Sequence, residues 1–311
     1  MSSSLKQWDV ADLRLAPSRR RADTRMRAVF SLAALTTLVV TVLIIYTLAK
    51  DAWGFFIDVP KKDLWSIGWF PRRGIFDIKT LVLGTLMVTG IAMIIAMPLG
   101  LGVAIYLSEF AAPRVRRILK PIIEVLAGIP SVVLGYFAIS FINPNLITAL
   151  VGGSNKAFNI AAAGVAVGIL TIPIIASVAE DALRAVPMAL REASYGLGAR
   201  RVPTTFRVVF PAAVSGIVAA LILGISRAIG ETMVVAIAAG AVGGGLFSTD
   251  PFQPGQTMTA AMAALGFGSD QVAGSGLAFQ SLFFVGFLLF VITLVLNMVG
   301  DRLVRKVREE Y

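Results

Sequence analysis

Six stretches of the chain stay apolar for about the length a helix needs to cross a bilayer, ~20 residues. They cover residues 28–49, 80–108, 121–142, 158–179, 211–242 and 277–300. The first holds no charge. The second is interrupted by Pro98, Gly100 and Gly102, the third by Glu124 and Pro130, the fourth by Pro173, and the fifth by Arg227 and Glu231. Prolines inside membrane helices are tolerated because neighbouring helices satisfy the freed carbonyls, so these predict kinks. The pattern therefore predicts an all-α integral membrane protein of six transmembrane helices. The first stretch reads as a retained helix and not a cleaved leader. It exceeds the ~7–15-residue apolar core of a signal peptide, and the Lys50-Asp51-Ala52-Trp53 flank is a poor cleavage site.

The connections carry their own patterns. Residues 50–79 include Trp53, Trp65 and Trp69, suited to a membrane–water interface. Asn143 and Asn145 beside Pro144 predict a turn. Residues 243–276 are rich in Gly, Ser and Pro, yet 256–265 is a Met/Ala-rich piece too short to span, which predicts a surface or re-entrant helix. Residues 180–210 are long for a helix connection. They repeat apolar positions at helical spacing through Ala182, Leu183, Val186, Ala189, Leu190, Ala193 and Leu197. Pro187 fits a helix start, Gly196 and Gly198 a sharp turn, and Pro203 the start of a second short helix.

Composition and charge sharpen this. Apolar residues are 57% and charged residues 15%, against about 45–50% and about 25% in soluble domains. That excludes a disordered chain and argues against a soluble enzyme. The net charge is +10, and its distribution follows topology. Lys and Arg number seven in 1–27, four in 109–120, five in 180–210 and four in the tail. The alternate connections hold six, one and none. The positive-inside rule then predicts both termini in the cytoplasm, and the basicity signals no nucleic-acid partner. The chain has no Cys and no His, which removes thiol chemistry, disulfides, the usual zinc sets and His proton relays. No metal or cofactor is expected. No span carries a His, a Cys or paired Asp residues, so an intramembrane enzyme is disfavoured. No phosphate-cradling GxxxxGK[ST] loop occurs. Work against a gradient would draw on a partner or an ion gradient.

Arg227 is the first candidate for the transport path. Counted from Pro211 it lies about 24 Å along its helix, where a charge costs at least ~2.5–3.5 kcal/mol and should face a cavity or a partner. Its planar fork of donors suits an oxyanion, and Glu231 follows one turn later. Two readings stand: a structural pair that makes each charge tolerable, or a pair lining a path, with an anion competing for Arg227. Pro130 and Pro173 are candidate gating kinks. Glu124 is expected to snorkel or to pair with Arg116, Arg117 or Lys120. Gly216, Ala219, Ala220 and Gly224 form a small-residue packing face.

The segment Glu192-Ala193-Ser194, three residues, Gly198, nine residues, then Val208-Val209-Phe210-Pro211 resembles the EAA loop of ABC-importer permeases, with Ser194, Val208 and Phe210 as mild departures. Further segments resemble the phosphate-specific permeases of that group, and among them the PstC-type subunit. These are Leu126-Ala127-Gly128-Ile129-Pro130-Ser131, Thr171-Ile172-Pro173, Ala182 to Pro187, Ser226 to Met233, and Gln256 to Ala260. The likeness covers roughly residues 75–300.

The resemblance implies a type I ABC-importer permease fold in a bacterial cell (inner) membrane. The chain would be a non-catalytic subunit that couples to a separate ATPase through Glu192, Ala193, Ser194, Gly198 and Pro211. The implied partners are a second, PstA-type permease, two copies of a cytoplasmic ABC ATPase, an extracytoplasmic phosphate-binding protein and membrane lipid. Related permeases for sulfate, molybdate and phosphonate share the EAA loop and remain alternatives, as does a gradient-driven secondary transporter. The expected organisation is a basic cytoplasmic tail (1–27), a first helix with its outer loop (28–79), a permease core (80–300, with the EAA loop at about 180–211) and a cytoplasmic tail (301–311).

Overall fold

A computed structural model of the chain describes residues 17–151, 156–240, 244–266 and 276–309, with side chains from Thr24 to Lys306 within those ranges. The basic residues of 1–16, the Arg19–Arg21 side chains and the expected end of the fifth span at Ala241 and Val242 lie outside this description. The described chain is overwhelmingly helical. Among the described residues, five helices are long and apolar enough to cross a membrane: Thr24–Asp58, Ile78–Phe110, Ser131–Val151, Ile160–Ala185 and Leu277–Lys306. Arg201–Ala212 and Val214–Ile229 are bent by 72° and make a sixth if counted together. Residues 1–50 form one unit, a single long helix where described, and residues 51–311 form the second.

In the larger unit the packing is set by small residues. Lipid supplies no hydrophobic drive between helices, so close backbone approach and van der Waals contact must hold them. Spans two and four pack along their length. A Cβ on Gly168 would meet the Ala92 carbonyl at 3.0 Å, and one on Gly164 would meet Ile91 at 2.7 Å. Ile175 of span four is fully buried and fits between Gly100 of span two and Gly224 of span five, where added Cβ atoms would sit 2.9 and 2.8 Å away. Gly216 closes on Ala182 in the same way. Ala220 joins this face, whereas Ala219, expected on it, points away and is exposed.

Three boundaries differ from the sequence reading. The third span is Ser131–Val151 and not 121–142. Residues 113–127 instead form a separate amphipathic helix, Pro113–Ala127, with no buried residue. Pro130 is therefore no kink within a span. It is the extended residue before Ser131, at φ −58° and ψ 130°, where its missing N–H costs nothing. Apolarity alone joined the two helices, because the apolar stripe of a surface helix runs directly into that of the span.

Asn143 and Asn145 likewise form no turn. They lie in a π-helical stretch, Ala138–Ile147, that carries span three onward. Asn143 donates to the Lys156 and Ala157 carbonyls and accepts from Asn159, and Asn159 in turn caps span four through Ala162 N. Paired amides replace the polar turn that the Asn-Pro-Asn pattern suggested.

The fifth span is not one straight helix. It bends at Ala213, ends at Ile229, and resumes after Gly230 and Thr232 as the short helix Met233–Ala238. Pro173, by contrast, lies buried inside the continuous helix Ile160–Ala185.

The connections that follow spans one and five pack together. Trp69–Phe70 and Ile75–Phe76 form a small antiparallel hairpin, a minor departure from an all-α chain. Trp69 exchanges backbone hydrogen bonds with Gly245. The Met/Ala-rich piece forms the helix Met258–Gly266, with Met258, Thr259, Ala260, Ala261 and Leu265 buried. It packs inside the fold and does not lie on its surface.

Candidate functional site

Two polar constellations stand out in this apolar protein. The first lies at the end of spans two and four, around the segment that joins spans four and five. Helix Met188–Gly196 follows Pro187, which has the extended backbone of a cap residue. It closes with Gly198 N–H on the Tyr195 carbonyl and Ala199 N–H on the Ser194 carbonyl. That double bond pattern is a Schellman close, and it requires Gly198 at φ +84°, where a side chain is disfavoured. The chain resumes as a helical stretch from Arg201, two residues before Pro203, through a π turn at Thr205–Val209 to Ala212. Pro211 sits two residues before the 72° bend. The Ser194 and Thr204 hydroxyls hydrogen-bond at 2.9 Å and tie the two helices together.

Glu192 and Ala193 face outward, and so do Met188, Tyr195, Leu197, Val202 and Phe206, with Leu197 90% exposed. Exposed apolar side chains grouped around a rigid turn form a docking surface more readily than a solvated loop does.

Beneath this surface lie two buried carboxylates that the sequence reading did not single out. Glu109, in the π turn Tyr106–Phe110 that ends span two, pairs with Arg191 of the loop helix at 2.9 Å. Arg191 also donates to the Leu183 and Val186 carbonyls at the end of span four. Glu180 of span four is 1% exposed and holds Arg116 at 2.5 Å and Lys120 at 3.2 Å. Glu124, expected either to snorkel or to pair with such a cation, is exposed and pairs with neither of these two. Burial alone would lower the Lys120 ammonium. Its hydrogen bonds to Glu180 and Asp181, and their charges, more than offset this and raise it above the usual lysine value. One signal for both carboxylates was available in the sequence: each is the first acidic residue after a long apolar run on the Arg-rich side.

The second constellation lies at the far end of the fifth span's long helix. Arg227 occupies the last turn of Val214–Ile229, where a cation complements the helix dipole. From the bend at Ala213 it lies about 21 Å along the helix. Its Nη1 donates to Glu231 Oε2 at 2.5 Å, so the sequence-predicted pair is formed. The two partners differ sharply. The Glu231 side chain is 3% exposed and that of Arg227 is 40% exposed.

Glu231 is also anchored on its other sides. Its Oε1 accepts from Val234 N, and its carbonyl accepts from Thr259 Oγ1 at 2.7 Å. Thr259 pairs with Thr257, and the helix Met258–Gly266 is pinned to span two by Met258 N on Thr85 Oγ1. Gln256 Oε1 and Thr89 Oγ1 are buried without a hydrogen-bond partner among the described residues. The arrangement fixes the carboxylate and leaves the guanidinium one side to offer. No group of three or more Asp or Glu residues suited to a metal ion occurs among the described residues.

Residues 96–309 match the family described as binding-protein-dependent transport system inner membrane component. The phosphate transport system permease protein PstC of Pasteurella multocida (strain Pm70) is 29% identical over 308 residues, covering 93% of this chain and 92% of that one. The phosphate transport system permease protein PstA 1 of Mycobacterium tuberculosis (strain CDC 1551 / Oshkosh) is 38% identical over 173 residues, 56% of this chain and 54% of that one. Among solved structures, a chain of a bacterial alginate ABC transporter, crystallised with an alginate pentasaccharide-bound periplasmic protein, superposes with a TM-score of 0.63. It is 16% identical and covers 92% of this chain and 97% of that chain. At that identity the likeness is one of fold.

Proposed function

Since the chain belongs to the family of binding-protein-dependent transport system inner membrane components, we propose that it is a permease subunit of an ATP-driven importer of inorganic phosphate, of the PstC type. The single observation that carries the reading is the join of two features in one chain. A rigid, apolar-tipped loop helix is locked to the transmembrane spans by Arg191 and Glu109, and an intramembrane Arg227 is half-held by a buried Glu231. The first suits a lever for a nucleotide-hydrolysing partner. The second suits a path for an oxyanion. The PstC relative is matched along nearly its whole length and the PstA relative along about half, which favours the PstC type.

In this reading the chain carries out no chemistry of its own. It forms the path with a second, PstA-type permease. Of two copies of a cytoplasmic ATPase, one engages the surface around Glu192, Ala193, Leu197 and Gly198 and the other engages the partner permease, and an extracytoplasmic phosphate-binding protein delivers the substrate. The chain sits in the bacterial inner membrane with both termini in the cytoplasm, a topology that the Lys and Arg distribution supports. ATP-driven approach of the ATPases pulls the loop helices together. Arg191 and Glu109 carry that pull into span two, and the bonds from Arg191 to the Leu183 and Val186 carbonyls carry it into span four. The spans then shift between outward and inward states, each favoured by a different bound partner. Inside the path, phosphate displaces Glu231 from part of the Arg227 fork. Glu231 recaptures the fork as phosphate leaves, so binding never becomes too tight for release.

Labelled-phosphate uptake at low concentration, in cells lacking this chain and restored by it, tests the substrate. Uptake that excess sulfate and molybdate leave untouched is expected. Uptake abolished by sulfate would contradict phosphate while leaving the permease assignment in place.

A further inference from the structure

Helix Pro113–Ala127 and the ends of spans two and four border an open groove of about 630 Å³ that neither Arg227 nor Glu231 lines. Arg116, Arg117, Lys120 and Arg184 line it, against the single lining carboxylate Glu124. At its base Glu180 holds Arg116 and Lys120, and Asp181 also holds Lys120. Arg117 and Arg184 are exposed and have no ion-pair partner among the described residues. The groove therefore offers two uncommitted guanidinium groups on a base that is already neutralised. Guanidinium forks match phosphate oxygens in geometry and in charge.

The rest of the helix says where that phosphate comes from. Val115, Ile118, Ile122 and Val125 recur at i, i+3, i+7 and i+10 on one face and are all exposed. An apolar face opposite a basic one is the pattern of a helix lying in the membrane interface. Its hydrocarbon side then dips toward the acyl chains, and its cations lie at headgroup depth.

We infer that this groove binds the phosphate group of an anionic phospholipid headgroup through Arg117 and Arg184. The inference rests on the membrane-permease reading above, with this helix on the cytoplasmic leaflet. A lipid held there braces Pro113–Ala127 against Glu180 at the foot of span four, beside the loop helix that Arg191 anchors. Anionic lipid thereby becomes part of the coupling apparatus.

The full chain, purified with its partners in neutral detergent and delipidated, tests this by titration with fluorescent phosphatidylglycerol. Phosphatidylcholine and inorganic phosphate serve as separate competitors. The Arg117→Gln/Arg184→Gln double variant is expected to bind phosphatidylglycerol roughly thirtyfold more weakly, the loss of two cationic contacts, at an unchanged thermal midpoint. Glu124→Gln is expected to bind it more tightly. Equal affinity in wild type and the double variant overturns the site. Displacement by millimolar inorganic phosphate overturns the lipid as occupant and assigns the groove to free phosphate. The assay involves no transport, so a failure of the phosphate-import reading leaves its result standing.

Discussion

Arg191 and Glu109 are 82 residues apart in the chain and meet at 2.9 Å, joining the loop helix to the end of span two. Both side chains are largely buried, so the pair cannot be opened without leaving a desolvated charge. Removing one partner of a buried pair costs about 3–5 kcal/mol. Glu109→Ala and Arg191→Ala are each expected to lower the thermal midpoint of the purified complex. A Glu109→Ala/Arg191→Ala double variant is expected to lose less than the two single losses added together. In vesicles with the ATPase present, the single variants should hydrolyse ATP without matching phosphate uptake. Full coupling in Arg191→Ala would show that the pull enters by another route.

The loop turn gives a separate expectation. Gly198 at φ +84° has open space around its Cβ position, so a substitution there meets only backbone strain, about 1–2 kcal/mol for a left-handed residue. Gly198→Val is therefore expected to leave the transmembrane unit folded and to weaken pull-down of the ATPase. Gly198→Asn, which tolerates the left-handed region, should retain most of it. Equal pull-down by the Val and Asn variants would remove the turn geometry from the docking account.

Packing at Ile175 makes a third. Gly224→Val places methyl groups where Ile175 already sits, 2.8 Å from an added Cβ, and overpacking of this kind costs about 1–3 kcal/mol. A lowered midpoint is expected, with partial rescue by Ile175→Ala, which vacates the space. Failure of the rescue would point to a backbone effect at Gly224 in place of the steric one.

Lys120 supplies a pH expectation. Its folded value is raised by Glu180 and Asp181 against the pull of burial. A raised cation stabilises fully below its unfolded value of about 10.5, and that contribution is lost only as pH climbs through the higher folded value. Lys120→Gln should therefore lower the midpoint by the same amount at about pH 6.5 and at about pH 9. A loss that shrinks between those two values would mean that Lys120 is already titrating there.

Much of this was legible before the fold. Apolar length located spans one, two, four and six closely, because a bilayer demands it. The helical spacing of apolar residues after Pro187 placed the loop helix, and Gly196 with Gly198 placed its turn. The Arg227–Glu231 pair followed from one-turn spacing. The rest depended on direction, which length does not encode. Residues 113–127 read as the start of a span because their apolar stripe is continuous with Ser131–Val151. Their one-sided pattern, basic on one face, was the clue to a surface helix. Glu124 looked like the natural partner of Arg116 and Lys120 because it is near in sequence. Glu180 won because it lies on a neighbouring helix facing them. The bend at Ala213 and the break after Ile229 come from a proline and a glycine whose effects depend on what packs beside them.

The central claim is that Arg227 offers its free side to phosphate while Glu231 moderates the grip. Phosphate uptake at low concentration by wild type, Arg227→Ala, Arg227→Lys and Glu231→Gln, each normalised to membrane abundance, tests it most directly. Arg227→Ala is expected to be present and inactive. Arg227→Lys should be strongly impaired for want of the fork. Glu231→Gln should bind phosphate but turn over slowly, with a lower apparent KM and a lower maximal rate. Wild-type uptake by Arg227→Ala at normal abundance would contradict the account and leave the pair a structural one.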